Sequence, residues 1–420
     1  MSDGRETTLA EVCERVDYGY TASASNDPEL PRFLRITDIV GSHIDWSTVP
    51  GCAVGDVKLK TYAVAKDDIV VARTGATVGY AKRIGSHPQA VFASYLVRFR
   101  PREDVVPAFL GAVVESQIYK IWVQRNAGGA AQPNASAKLL GAFPLRLPDE
   151  DTQRRIGVML GSINDLIENN RRRVEVLEEL ARAIYREWFV NFRYPGHENA
   201  TVVASPLGAV PEGWSVSTCG DELTSLGGGT PSKSEPAYWH DGTVRWYTPS
   251  DLTKSRCRYT AEPDLRITET GLARSSARLF PPGSVLMTSR ATLGVLTIAS
   301  SEATTNQGFI VISPDERWSP AFIFEWLGEH AAQLASIATG STFKEITKGA
   351  FKRLPFLVPV QSVLDAHRDA TNPIEQQICN LEQQVRRLAS LRDFLLPRLV
   401  TGQIDVSSLD LDALVEGSVA

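Results

Sequence analysis

The stretch Ile156-Gly-Val-Met-Leu-Gly-Ser-Ile-Asn-Asp-Leu-Ile167 opens a stripe whose members recur every four and three residues in strict alternation: Ile156, Leu160, Ile163, Ile167, Asn170, Val174, Leu177, Ala181, Ile184 and Trp188. That spacing averages 3.5 residues, the period of a helix packing along another helix. A second stripe keeps the same alternation through Ile374, Ile378, Leu381, Val385, Leu388, Arg392, Leu395 and Leu399. Asn170 and Arg392 are the polar members of the two stripes. A buried polar seam position commonly fixes register or partner choice at some cost in stability; the alternative is a solvated break in each seam. The first helix is expected to run for roughly 35 residues, or about 50 Å at 1.5 Å per residue, making it a spacer as well as a packing element. The simplest pairing of the two is antiparallel. Pro397 is expected to end or kink the second.

The sequence preceding each helix is said twice. Arg32-Phe-Leu-Arg-Ile-Thr-Asp-Ile39 returns as Arg245-Trp-Tyr-Thr-Pro-Ser-Asp-Leu252, and Val71-Ala-Arg-Thr-Gly-Ala-Thr-Val-Gly79 returns as Leu286-Met-Thr-Ser-Arg-Ala-Thr-Leu-Gly294. Gly129, with the run to Pro144-Leu-Arg-Leu-Pro148, matches Gly340 with the run to Pro355-Phe-Leu-Val-Pro359, at offsets near 211 to 215 residues. A repeat of half the chain means two copies of a domain, usually related by pseudo-twofold symmetry, rather than a solenoid. Each copy reads as α+β. Asp68–Ala72, Phe92–Phe99, Ser284–Thr288 and Gly308–Ile312 are β-branched or aromatic enough for strands, and helices are expected over Pro107–Gln124 and Pro320–Ala338. The expected organisation is a first repeated domain over 1–150, the first heptad helix over 151–192, a linker over 193–204, the second domain over 205–360, the second helix over 361–404 and an acidic tail over 405–420.

Composition narrows the class. An apolar fraction of 43% and a charged fraction of 22% are ordinary for a globular protein, and 420 residues are enough for two cores. No apolar run approaches the roughly 20 residues that span a bilayer, and the opening residues lack a signal-peptide build, so a cytoplasmic location is expected. The five cysteines, Cys13, Cys52, Cys219, Cys257 and Cys379, are scattered and suggest buried thiols. The net charge of −5, with five basic and nine acidic side chains after residue 360, argues against a simple basic nucleic-acid binder.

Several segments carry a resemblance. Ser205-Pro-Leu-Gly-Ala-Val-Pro-Glu-Gly-Trp214, Gly227-Gly-Gly-Thr-Pro-Ser232, Trp246–Leu252 and Leu391-Arg-Asp-Phe-Leu-Leu-Pro-Arg-Leu-Val-Thr-Gly-Gln-Ile404 are similar to those of the DNA-sequence-specificity (S) subunit of type I restriction-modification systems. Leu180-Ala-Arg-Ala-Ile-Tyr-Arg-Glu-Trp-Phe189 stands in the first half where the last of these stands in the second, while residues 1–12 lack a counterpart of Pro211-Glu-Gly-Trp214. The resemblance implies two target-recognition domains, each reading one part of a split, asymmetric double-stranded DNA target, separated by a pair of long antiparallel coiled-coil helices that set the gap. It implies that two methyltransferase (M) subunits dock on the chain, that motor-nuclease (R) subunits can join, and that no membrane is involved. Methyl donor and ATP would then be bound by those partners, and this chain would carry no cofactor and no catalysis of its own. A stand-alone DNA-binding regulator with two recognition domains is the alternative; a self-sufficient DNA-modifying enzyme is a third.

An adenine methyltransferase needs an Asn/Asp-Pro-Pro-aromatic motif and a glycine-rich donor loop, and an ATP-driven motor needs GxxxxGK[ST]; none occurs. His43, His87, His197, His240, His330 and His367 form no metal-ligand spacing and are expected on the surface or in linkers. Base edges are read by Arg or Lys at guanine and Asn or Gln at adenine, with Ser, Thr and backbone groups on phosphates. Such groups cluster in equivalent loops. In the first half they are Arg32, Arg35, Thr37, Arg73, Thr74, Thr77, Lys82, Arg83, Gln132, Asn134, Ser136 and Lys138; in the second Thr230, Ser232, Lys233, Arg245, Thr248, Ser250, Ser289, Arg290, Thr292, Asn306, Gln307, Ser341, Thr342, Lys344 and Lys348. Each could instead be a solvated side chain or turn former. Asp38 and Asp251 are expected as caps, Phe33 and Trp246 as core, Gly75, Gly79 and Gly294 as turn formers, and Arg171-Arg-Arg173 as a solvated helix face.

Overall fold

Four short strands in each half of the sequence assemble the same sheet twice. The structure is a computed structural model that describes residues 4–41, 43–128, 133–290, 292–340 and 344–406. It divides into two compact units, one comprising the chain up to Asn170 together with the part from Gln384 onward, the other Arg171–Gln383.

In the first unit, β1 (Arg5–Thr8) pairs antiparallel with β8 (Pro144–Leu147), while β2 (Cys13–Tyr18), β7 (Leu96–Pro101), β4 (Ile69–Ala72) and β5 (Ala81–Arg83) form an antiparallel sheet in that order. A separate parallel pair joins β3 (Arg32–Leu34) to β6 (Ala90–Phe92). Around them lie α1 (Ile36–Ile39), α2 (Asp56–Tyr62), α3 (Pro107–Val114), α4 (Gln117–Asn126) and α5 (Ala137–Gly141), followed by α6 (Glu150–Tyr185). The second unit opens with a hairpin of its own, β9 (Val202–Ser205) and β10 (Gly208–Pro211), and then repeats the plan. There β11 (Ser215–Thr218) pairs with β19 (Pro355–Val358), and β12 (Ser225–Gly227), β18 (Phe309–Ile312), β15 (Val285–Thr288) and β16 (Leu296–Ile298) make the four-stranded sheet. Strand β13 (Val244–Tyr247) lies between β14 (Leu265–Ile267) and β17 (Thr304–Thr305). The helices are α7 (Cys219–Glu222), α8 (Pro249–Ser255), α9 (Glu269–Ala273), α10 (Pro320–Glu329), α11 (Ala331–Ser336), α12 (Lys348–Lys352) and α13 (Gln361–Val400). Each unit is thus α+β, and the first begins at the strand equivalent to the one that follows Trp214 in the second.

Local chemistry corrects several expectations. Residues 92–99 are not one strand: the Leu96 amide turns back to the Ala93 carbonyl (2.9 Å), leaving β6 and β7 in different sheets. The helix expected over 107–124 breaks at Glu115–Ser116, where Ser116 Oγ accepts from the Tyr119 amide and caps α4; that over 320–338 breaks at His330. Pro397 does not end α13, which runs on to Val400; its carbonyl still accepts from the Thr401 amide (3.1 Å), so the last turn continues past the missing Pro397 donor. The segment 193–204 holds a 3₁₀ turn at His197–Asn199 and most of β9, and Tyr194 is buried, stacked on Trp214. The repeat register also shifts. Ala72 bonds Tyr80 and Gly79 as Thr288 bonds Val295 and Gly294, so Ala72 answers Thr288, and the second loop is one residue shorter.

Each core mixes sheet residues with pieces of both long helices. In the first unit, Leu9, Ile69, Val71, Phe99 and Phe109 pack with Ile156 and Leu160 of α6 and with Leu396 and Leu399 of α13. In the second, Val285, Met287, Ile310, Trp318 and Phe322 pack with Tyr185 and Phe189 of α6 and its π-helical extension and with Val363 and Leu364 of α13. Full burial of each such side chain contributes about 1.5–3 kcal/mol. Every member of both stripes is buried or half-buried, whereas Leu166, Val176, Leu391 and Phe394 beside them are exposed. Both polar members are hydrogen-bonded within the first unit. Asn170, itself buried, donates to Gln384 Oε1 (3.2 Å), and Arg392 donates to Asn164 Oδ1 (3.1 Å), pairings in which the two chains run antiparallel.

Two buried polar features of the second unit were not expected. His367 is no surface residue: it is 1% exposed among the rings of Tyr185, Trp188, Phe189 and Phe322, and neither ring nitrogen has a hydrogen-bond partner among the described residues. Desolvation lowers its pKa to about 4. His330 is also partly enclosed, stacked on Trp326. Further along, the buried Arg258 guanidinium is forked by Glu375 and bonded to Glu325 (2.7 Å), while Glu382 accepts from the Arg258 and Tyr259 amides. Burial alone would lower the Arg258 pKa, but the Glu375 and Glu325 carboxylates outweigh it and raise it. A buried arginine among carboxylates holds the 256–260 segment against α10 and α13.

Candidate nucleic-acid interface

Where β4 leaves the first sheet, the chain turns through Arg73–Tyr80, with Gly75 at φ +75° and Gly79 at φ +84°, conformations that glycine adopts without strain. Gly294 at φ +77° does the same in the second unit. The 73–77 turn is laced to the segment after α4. Ala135 donates its amide to the Arg73 carbonyl (2.8 Å), Gly75 to Pro133 (3.0 Å), and the Arg73 guanidinium reaches Asn134 Oδ1 (3.2 Å) and the Ala135 carbonyl (3.3 Å). It also lies 4.8 Å from the Tyr18 ring centroid. Thr74 bridges Asn134, and Thr77 is half-buried in a short 3₁₀ turn. Ser136 caps α5 through the Leu139 amide (3.1 Å), and Lys138 projects from α5 with no ion partner among the described residues. Arg73, Thr74, Asn134, Ser136 and Lys138 therefore come together; Gln132 lies outside the described residues.

The second unit gathers an equivalent group of different composition. Ser289 is buried and takes the Arg73 place, donating to Gly308 (2.8 Å) and accepting from Ile346 (2.9 Å). Arg290 pairs loosely with Glu345 (3.5 Å), and Thr292 is exposed beside it. Thr230 Oγ1 donates to Gln307 Oε1 (2.6 Å), and Asn306 Oδ1 accepts from the Gly308 amide (2.8 Å). Lys344 and Lys348 are exposed around Thr347, the cap of α12. Ser341 and Thr342 lie outside the described residues.

Other singled-out residues are committed elsewhere. Arg32 donates to the Val49 carbonyl (3.2 Å). Arg35 forks Asp38, whose carboxylate accepts the Arg35 amide (2.8 Å); Thr37 is exposed next to it. In the second unit Asp251 accepts from both the Thr248 amide and hydroxyl, with Ser250 bonded to that hydroxyl, so both aspartates cap a helix. Arg245 is chelated by Glu262, which that pairing holds below the usual carboxylate pKa. Lys82 meets Glu115 (3.4 Å), and Arg83 binds Asp67 (2.6 Å), on the far edge strand of the sheet. Ser232 bonds Ser234 on the loop after Gly229, and Lys233 is exposed there without a partner among the described residues. Phe33 and Trp246 are core, the latter donating to the Gly229 carbonyl (2.9 Å). Arg171, Arg172 and Arg173 face solvent.

Sequence reasoning missed Tyr18, Glu345 and Glu262, because it sought donors for DNA and not the groups that hold those donors. No local signal joins them: Tyr18 and Arg73 meet only because β2 and β4 flank β7. The described residues contain no cluster of His, Cys, Asp and Glu able to hold a metal, and among them no helix is long and apolar enough to cross a membrane.

Residues 211–380 match the family described as the type I restriction modification DNA specificity domain. The chain is 22% identical to the type I restriction enzyme HindI specificity subunit of Haemophilus influenzae, over 96% of this chain and 100% of that protein. It is also 22% identical to the type I restriction enzyme MjaIX specificity subunit of Methanocaldococcus jannaschii, over 74% of this chain and 72% of that one. Among solved structures, the type I restriction-modification system S subunit from M. genitalium superposes with a TM-score of 0.53 at 12% identity, covering 95% of this chain and 96% of that chain. At that identity the likeness speaks for the fold alone.

Proposed function

From the premise that this chain is HsdS-like, related to the specificity subunits of type I restriction-modification systems, we propose that it is the non-catalytic DNA-reading component of such a complex, recognising a bipartite, asymmetric double-stranded target. The carrying observation is that the two like-folded units carry unlike polar loop groups, Arg73, Thr74 and Asn134 in one and Arg290, Asn306 and Gln307 in the other. Arginine suits guanine, and Asn or Gln suits adenine, so two unlike sets on one scaffold read two unlike half-sites. Among the singled-out residues that are described, Lys138, Lys233, Lys344 and Lys348 are exposed lysines without an ion partner and suit phosphates, since Arg35, Arg83 and Arg245 are already paired.

Catalysis is assigned to partners. Two methyltransferase subunits would supply the methyl donor and transfer, motor-nuclease subunits would supply ATP-driven cleavage, and the paired helices would serve as the ruler between half-sites. The test is co-expression with a type I methyltransferase subunit from the same host, followed by methylome sequencing. A split, asymmetric motif carrying N6-methyladenine is expected, and its disappearance on deletion of this chain; an unchanged methylome would refute the reading.

A further inference from the structure

One turn is built alike in both units and carries different chemistry. In the first unit it is Ala93-Ser-Tyr-Leu96, in the second Asn306-Gln-Gly-Phe309. The Ala93 amide donates to Leu34 (2.9 Å) as the Asn306 amide donates to Tyr247 (3.0 Å), and the Arg73 amide donates to the Tyr95 carbonyl (3.0 Å) as the Ser289 amide donates to Gly308 (2.8 Å). Ser94 and Leu96 are held too, by Tyr20 (2.9 Å) and Gly19 (3.3 Å). The turn is therefore pinned to three segments at once, at Leu34, at Arg73 and at Gly19–Tyr20. On it stands Tyr95, 60% exposed, whose side chain has no hydrogen-bond or ring partner among the described residues.

Exposed apolar residues taken singly are ordinary. Tyr95 differs in that its backbone is bonded directly to Arg73, the arginine that meets Asn134, and in that the same position of the second unit is Gly308. A ring on a rigid support loses little freedom when it meets a ligand. We propose that Tyr95 is a specificity-determining residue for the half-site read by the first unit, its ring packing on an apolar base edge of the thymine-methyl kind; its counterpart in the second unit is Gly308, which puts no side chain at that post. This rests on the function proposed above. An aromatic ring at one post and no side chain at the other makes the two half-sites differ at that base pair.

The test uses the full chain assembled with its methyltransferase partners and compares methylomes of wild type, Tyr95→Ala, Tyr95→Phe and Val57→Ala, the last removing a side chain 80% exposed on α2. Tyr95→Ala is expected to relax one position of a single half-site and to slow methylation of the wild-type motif about tenfold, the order of one lost base-edge contact, the other half-site being unchanged. Tyr95→Phe is expected to keep the motif. Equal melting curves for the variants would show that folding is not the cause. A Tyr95→Ala methylome identical to that of Val57→Ala overturns the Tyr95 assignment while the wild-type motif leaves the general function standing. Absence of any bipartite motif in the wild type would take down both.

Discussion

Acidification should unfasten the second unit through a single side chain. His367 sits among four aromatic rings with both nitrogens unpartnered, and burial brings its pKa from 6.5 to about 4. The folded state favours neutral imidazole, so between those values the unfolded chain binds the additional proton, and stability falls as pH falls. The contribution is complete above pH 6.5, about 2 kcal/mol is gone by pH 5, and about 3 kcal/mol by pH 4. Other groups titrate over the same range, so the informative quantity is a difference between proteins. His367→Phe keeps a ring in the cage and removes two unpaired polar atoms. It should be no less stable than wild type at pH 7 and should lose about 2 kcal/mol less between pH 7 and pH 5, measured by urea unfolding with tryptophan fluorescence. The histidine Cε1 resonance should titrate far below pH 6. Parallel pH profiles for the two proteins would refute the reasoning.

Elsewhere the structure gives sharper single-site outcomes. Arg258→Met leaves the buried Glu375 and Glu325 carboxylates without their cation and should cost about 3–5 kcal/mol by denaturant titration, whereas a loss below about 1 kcal/mol would mean that water reaches the network. Asn170→Leu should raise stability by about 1 kcal/mol, since one hydrogen bond to Gln384 is exchanged for apolar burial; a loss would show that the polar pair is the stronger link. A Cβ at Gly19 would come 2.2 Å from the Ala93 carbonyl and one at Gly228 2.1 Å from that of Asn306, so alanine at either should lower the melting temperature, with a cost of at least about 1–3 kcal/mol. For the isolated chain on DNA, contact through the four lysines Lys138, Lys233, Lys344 and Lys348 predicts a log–log salt slope of about −4, and a slope near −8 would mean that the paired arginines release their carboxylates or that cations outside these loops take part.

The helices and the duplication were legible because both are periodic: a 3.5-residue stripe and a half-chain repeat survive without any knowledge of contacts. The strand register was not. Ile69–Ala72 and Val285–Thr288 are buried on both faces, so no alternation marks which residue answers which, and the one-residue difference in the following loops went unseen. His367 hid for another reason. It continues the spacing Val363, Leu364, His367, Thr371 along one face of α13, but its polar type masked the position as solvent-facing. At the candidate interface, residue types named the donors, and only the fold revealed that Arg35, Arg83 and Arg245 are already occupied by Asp38, Asp67 and Glu262.

The composition of each core has a bearing on how the protein comes off the ribosome. The second unit is one contiguous stretch, Arg171–Gln383, and has all its parts once that stretch has emerged. The first waits for Leu396 and Leu399, which pack beside Leu9 and Ile156 although some 390 residues separate the outermost of them in synthesis. At about 5–20 residues per second, its early strands spend tens of seconds with part of their apolar surface unfilled. The part of the chain made first is therefore the last to be completed, and nascent-chain aggregation or chaperone capture should concentrate on residues before Asn170.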